Sequence, residues 1–459
     1  MNTLDISIVI IWLFVILGLG IWAGIGATLE GFWVNKRATG TAFLVFTVVA
    51  TQVGGGTIIG ISSSTYSAGT GFGVVAIIST VLGFIAVAWL APWAKRFGDK
   101  NKAYTLPEVF RKRYGRGAQL VAALLILFAY ISLLGGQFLS VAVLLQVWTG
   151  IGLHVALLLA AGGVIVYSAF AGLRGDIVTD AIHFWIMALI LFLILFPVTG
   201  IDESLTQALA NVEPKIWSPL TFGGWVYLIA GILFGFLIPI VSMEMWMRVY
   251  AANDEKVARR AFIWSAIAVI PFYVVPLFLG LVATQLKVPV TRPDSLLVEL
   301  LFRYLPQGML GLAVAGMLSV IISTANTMIL VLGAVLYRDF LGREGVNEGQ
   351  EVKVSRLITF FMGVLGVIFA VFTPSIVQLI LNAFFIILVM GAALIGVTWW
   401  KGATSKGAVA SLIGGGLGTI SCLNIMPQQA FIPGLLLSCI LFFSVSLFTK
   451  HSPHEDLTL

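Results

Sequence analysis

Runs of roughly twenty apolar residues follow one another along almost the whole chain, near 5–25, 42–69, 72–94, 118–148, 155–173 and 178–199, then 222–247, 262–286, 307–336, 355–373, 375–400, 407–426 and 431–449. Runs this long belong in hydrocarbon, where every backbone N–H and C=O must find a partner inside the protein. Helices and closed barrels meet that demand, and segments of this length read as helices. The expectation is an all-α polytopic membrane protein with thirteen transmembrane helices. Composition agrees: 59% of the 459 residues are hydrophobic and 10% are charged, with a mean hydropathy of +1.05, outside the range of soluble globular domains.

The first run, Ile6 to Ile25, has no small-residue cleavage site of the signal-peptide kind and reads as a retained span. Cys422 and Cys439 both lie inside apolar runs, so neither a disulfide framework nor a CxxC metal or redox site is available. The net charge of +6 is a matter of distribution. With the N-terminus outside, all but four of the 26 lysines and arginines fall on the cytoplasmic side, the exceptions being Lys215, Lys287, Arg292 and Arg303. The positive-inside rule then sets N-out, C-in in the cell membrane, and the basic excess calls for no nucleic acid. The longest segments between runs, about 200–221, 287–306 and 337–354, are loop-sized, and no soluble domain, obligate protein partner, Ser-His-Asp set or HExxH motif is evident. The chain does not read as an enzyme, and its function must lie in the bundle, with the bilayer and a small molecule as partners.

One run contains a stretch that an uninterrupted helix resists. Ala50-Thr51-Gln52-Val53-Gly54-Gly55-Gly56-Thr57 places three successive glycines at membrane depth, each costly to helix stability. A broken helix there frees backbone groups that protein, water or a ligand must satisfy. Five spans on, Gly231 to Ser242 carries Gly235 and Pro239, and Pro239 removes a backbone donor. Discontinuous helices at matching positions mark transporters built from inverted repeats. The spacing predicts an extra helix over 1–30, five-helix units over 42–199 and 222–400, and two further helices over 405–450.

In the ninth span Val320, Ser323 and Thr324 fall at i, i+3 and i+4, on one helix face. Hydroxyls and carbonyls are ligands for a hard cation, and the carbonyls of Ala50, Val53 and Val320 with the Ser323 and Thr324 hydroxyls would make five oxygens. Taken alone, the two hydroxyls equally suit bonds back to their own helix.

Four motifs in order resolve this. They are the glycine run; Tyr167 with Gly172-Leu173 and Thr179-Asp180; Ser323-Thr324-Ala325-Asn326-Thr327-Met328 followed by Arg338-Asp339; and Trp399-Trp400-Lys401-Gly402-Ala403-Thr404 with Gly407-Ala408. Together they resemble the sodium:solute symporter family from about Trp33 to Ala410, and the glycine run resembles its choline/proline-transporter-like branch. The resemblance implies a LeuT-type 5+5 inverted repeat with one helix before and two after. It also implies a sodium site at Ala50, Val53, Val320, Ser323 and Thr324, with Asp180 on the ion path. Members with a second sodium site place a hydroxyl where this chain has Val320, so one Na+ is expected. Asp180 also suits a solvated helix N-terminus near the inner face, and His183 stands where the family has glutamine, which leaves proton coupling open.

The solute is expected beside the two breaks, against Gln52, Gly54, Gly55, Gly56 and Thr57 on one side and Ser242 and Met243 on the other, with Ser79, Gln137 and Phe384 added and Phe385 beside Phe384. Sugar-transporting relatives carry a carboxamide and acid in the first break and a lysine in the eighth span. This chain has Gly55-Gly56-Thr57 and Ile267-Ala268-Val269-Ile270, which disfavours a sugar. An amino acid, a betaine- or choline-like solute and a monocarboxylate stay open. Glu244 and Arg248, at i and i+4, read as a salt-bridged pair near the inner surface. The function implied is sodium-coupled secondary active import of a small organic solute by alternating access. A proton-coupled symporter is the alternative, and a solute sensor or passive channel the alternative of another class.

Overall fold

The computed structural model describes residues 2–26, 28–200, 215–341, 348–372 and 375–449. Helix α1 (Thr3–Gly24) is followed by the short α2 (Leu29–Val34). The first broken stretch is α3 (Thr41–Gln52), a π-helical turn (Gly56–Gly60) and α4 (Ile61–Ala68), with a bend of 52° between its halves. Then come α5 (Gly71–Asn101), α6 (Pro107–Tyr114), α7 (Arg116–Thr149) and α8 (Leu153–Gly200). The second broken stretch is α9 (Gly224–Gly235), α10 (Leu237–Val241) and α11 (Met243–Ala251). It leads into α12 (Glu255–Ala268), α13 (Ile270–Gln285), α14 (Leu296–Tyr304) and α15 (Met309–Val335). The chain closes with α16 (Glu348–Phe372), α17 (Ile376–Leu388), α18 (Met390–Trp399), α19 (Ser405–Cys422) and α20 (Phe431–Phe448).

Apart from the single bridge between Thr39 and Ala252, the regular structure of the described residues is all helical, as the apolar runs require. Nine helices among them are long and apolar enough to cross a membrane, or ten when the bent pair at the glycines counts as one. The expected count of thirteen is therefore not established. Two of the expected runs, 155–173 and 178–199, are two helices that follow one another without a loop and are labelled together as α8. Its turn is at Gly172, where φ is +59°, a value glycine adopts without the strain a side chain brings. The run near 222–247 is cut into three short helices, and the glycine-rich α19 falls short of the hydropathy of the others. Residues 287–306, expected as a loop, contain α14.

Helix α15 is the axis of the bundle. Nearly every side chain from Ala313 to Val335 is buried, against α1, α3, α7, α8 and α16, which fits a mostly apolar helix surrounded by others, with the polar Ser323, Thr324, Asn326 and Thr327 buried with the rest. Large apolar side chains on α1 and α20, among them Phe14, Trp22 and Leu447, are exposed and suit lipid contact. The two broken stretches are tied at their ends. Thr39 N–H donates to the Ala251 carbonyl (3.0 Å) and Asn253 N–H to the Thr39 carbonyl (3.0 Å). The entry to the first break thus lies beside the exit from the second, and both face α15.

Candidate functional site

Helix α3 stops at Gln52 because Val53 turns extended (φ −87°, ψ 96°). The carbonyls ahead of the break point at α15. Thr324 Oγ1 lies 3.4 Å from the Ala50 carbonyl oxygen, 3.1 Å from that of Thr51, 3.2 Å from that of Val53 and 3.2 Å from that of its own Val320. A hydroxyl carries one proton and donates to one acceptor at a time. Four carbonyls converging on one hydroxyl is an oxygen-rich nest of the kind a hard cation takes. The approach depends on Gly54: a Cβ there would lie 2.8 Å from Thr324 Oγ1, and one at Gly55 would lie 2.1 Å from Ser140 Oγ.

A buried charge cluster stands directly behind this nest. Ser323 Oγ donates to Asp180 Oδ1 (2.5 Å) and Thr47 Oγ1 to Asp180 Oδ2 (2.5 Å). Arg248 Nη2 is 2.6 Å from Asp176 Oδ2 and 3.6 Å from Asp180 Oδ2, and it donates to Thr51 Oγ1 (2.8 Å) and Thr327 Oγ1 (2.7 Å). Asp176 also accepts from Thr327 Oγ1 (2.8 Å) and from the Asn326 amide. Both carboxylates and the guanidinium have no solvent exposure. Two carboxylates face one guanidinium, so with all three groups ionised the cluster carries one negative charge in excess. A monovalent cation in the adjacent nest would offset it. His183 Nδ1 lies 3.9 Å from Asp180 Oδ1, and neither ring nitrogen has a hydrogen-bond partner among the described residues.

Between the two breaks lies a cavity of about 130 Å³. Gln52, Gly54, Gly56, Thr57, Ser79, Gln137 and Phe384 line it, as does Phe385, and so do Tyr227, Glu244 and Tyr273. Several of these polar groups are already engaged. Gln137 Oε1 accepts the freed Gly55 N–H (2.8 Å), Gln52 Nε2 donates to the Tyr273 hydroxyl (3.1 Å), and Ser79 Oγ donates to the Gly231 carbonyl (2.9 Å). Gly55, Ser242 and Met243 stand outside the lining. Met243 is fully buried, its sulfur accepting the Leu106 N–H (3.1 Å).

The model of the sodium:solute symporter family matches residues 32–415. The chain belongs to that family. It is similar to the sodium/pantothenate symporter of Escherichia coli, 24% identical over 475 residues covering 96% of each chain. It is also similar to the sodium/proline symporter 2 of Staphylococcus saprophyticus, 25% identical over 481 residues covering 96% of this chain and 92% of the relative. Among solved structures it matches a Na+-coupled sialic acid symporter in a substrate-bound outward-open state, described as having a novel Na+-site. The TM-score is 0.83, with 20% identity and full coverage of both chains. The architecture is thus the LeuT-type fold. As a sodium:solute symporter the chain is a multi-pass cell-membrane transporter of a small-molecule solute, not an enzyme.

Within this family frame two expectations change. Glu244 and Arg248 do not pair: Arg248 turns to Asp176 and Asp180, while Glu244 accepts from the Tyr130 hydroxyl. Spacing at i and i+4 made the pair possible, but two acids across the interface offered Arg248 the stronger field. Asp180 is likewise no solvated helix end; it is buried two helical turns past the Gly172 turn. Asp176, Asn326 and Thr327 were given no role in the sequence, and Arg248 only the pairing with Glu244. A signal existed, since Asp176 and Asp180 at i and i+4 put two acids on one face of an apolar helix.

Proposed function

We propose that the protein imports a small organic solute together with one Na+ by alternating access, with sodium held by the carbonyls of Ala50, Val53 and Val320 and the hydroxyls of Ser323 and Thr324, and the solute in the adjoining cavity. The observation that carries this reading is the convergence of the Ala50, Val53 and Val320 carbonyls on Thr324 Oγ1 at 3.2 to 3.4 Å. Ser323 links the nest to Asp180, which stands on the ion path and supplies negative charge. Val320 brings no hydroxyl for a second ion, hence one site. The matched breaks support two inverted five-helix units over 42–199 and 222–400, with a helix at 1–30 before them and two helices over 405–450 after, thirteen spans in all. The lysine and arginine distribution supports an external N-terminus and a cytoplasmic C-terminus.

The coupling is energetically sufficient. One Na+ moving inward gains about 2.3 kcal/mol per 100 mV and about 1.4 kcal/mol per tenfold gradient. Together these hold a neutral solute at roughly several-hundred-fold accumulation. Sodium bound across the break joins α3 to α15 and closes the wall that the solute leans on, so the ion prepares the site for the solute.

The test is the sodium dependence of uptake in proteoliposomes. Ser323→Ala or Thr324→Ala is expected to raise the half-saturating sodium concentration about tenfold, the loss of one oxygen ligand, with solute affinity at saturating sodium little changed. Wild-type sodium dependence in both variants would sink the assignment. Proton coupling through Asp180 and His183 would instead leave pH-driven uptake intact in sodium-free buffer.

A further inference from the structure

The cavity between the breaks holds a single charged side chain among its described lining residues, Glu244. It is 4% exposed and sits in the first turn of α11. We propose that the solute is an organic cation, a protonated amine or quaternary ammonium on a small apolar body, and that Glu244 is its counter-ion. The proposal rests on reading this cavity as the solute site, and it names the class of solute that the site takes.

The surroundings give the carboxylate hydrogen-bond donors and no ion pair. The N-terminal turn of α11 favours a negative group. The Tyr130 hydroxyl donates to Glu244 and accepts the Met243 N–H (2.6 Å), which fixes its direction. Neither partner brings a positive charge. Arg248, one turn along the same helix, is drawn off by Asp176 and Asp180, and Glu244 has no ion pair among the described residues. A carboxylate buried without a counter-charge is costly, and removing that cost is what a cationic ligand offers.

The rest of the wall suits the same chemistry. Phe72, Tyr227, Tyr273, Phe384, Phe385 and Phe431 line the cavity, and aromatic faces attract ammonium groups, quaternary ones included. No lysine, arginine or histidine is among the described lining residues, so a free carboxylate would meet only like charge there. At about 130 Å³ the space is close to the ~150 Å³ cavity that holds benzene, so a solute of roughly six to eight non-hydrogen atoms fits.

The experiment uses the full-length purified chain and measures thermal stabilisation and binding in sodium and in potassium. The probes are small ammonium compounds led by choline, each paired with its neutral isostere (3,3-dimethylbutan-1-ol for choline), together with proline and small carboxylates. The expected result is sodium-dependent binding of an ammonium probe about tenfold or more tighter than its isostere, the worth of one charge-assisted contact. Glu244→Gln, which keeps the shape and a bond to Tyr130, is expected to erase that preference while sodium alone still stabilises the protein. Equal binding of cation and isostere, tighter binding of a neutral or anionic probe, no ammonium binding in sodium, or an unchanged preference in Glu244→Gln would each overturn the proposal. The isostere comparison needs no variant and stands if Glu244→Gln fails to fold. Absence of any sodium-induced stabilisation would instead overturn the sodium-site reading beneath it, and a neutral solute bound with sodium would overturn the cation alone.

Discussion

Two buried acidic regions lie on either side of the first helix break, and they are built in opposite ways. Around Asp176 and Asp180 the protein supplies almost every partner itself: Arg248, Thr47, Ser323, Asn326 and Thr327 all bond to the two carboxylates. Around Glu244 it supplies the Tyr130 and Ser242 hydroxyls, no ion pair, and an aromatic-walled space. On the proposed reading, the first region is a preassembled field beside the ion site, and the second leaves a carboxylate for a solute that arrives and departs. A transporter needs both, since an ion site must be specific at low occupancy while a solute site must release what it holds.

The largest expected effect tests the self-sufficiency of the first region. Arg248→Gln strands two carboxylates in the interior, and breaking a buried pair costs about 3–5 kcal/mol. We expect a large fall in thermal stability, with Asp176→Asn restoring part of it in the double variant because it removes one of the two stranded charges. If Arg248→Gln proved as mild as Glu244→Gln in the same unfolding assay, the contrast between the regions would be broken.

A smaller effect tests the surface that divides them. Gly55→Ala places a Cβ 2.1 Å from Ser140 Oγ, and overpacking of this kind costs about 1–3 kcal/mol. A lower melting temperature is expected, recovered in part by Ser140→Gly. The double variant failing to recover would show that backbone freedom at Gly55, and not the close approach of α7, is what the site needs.

The smallest effect sharpens the second region. Tyr273→Phe removes the hydroxyl that accepts from Gln52 Nε2 (3.1 Å) and more weakly from Thr80 Oγ1 (3.3 Å), and keeps the ring. Losing one such bond is worth about 0.5–1.5 kcal/mol, read as a few-fold change in half-saturating solute with the sodium dependence unmoved. A shift in sodium dependence instead would mean that the two regions are coupled through Gln52.

Much of the fold was legible in the residues because lipid leaves few choices. Apolar length dictates helices, and glycines at 54–56 and Pro239 dictate where helices fail. The motif around Ser323 and Thr324 carried the family, and through it the candidate ion site. What the residues hid were choices between partners. Arg248 had Glu244 one turn away and two aspartates far along the chain, and no local rule ranks these. Gly55 could be read as open backbone for a ligand, yet its N–H is taken by Gln137 and its α-hydrogen faces Ser140. The helices were therefore determined by the chain's own composition and order, since backbone satisfaction in hydrocarbon is a local matter. Which buried charges are answered by the protein and which are left for a ligand was decided only in three dimensions, because that depends on what distant helices bring within hydrogen-bonding distance.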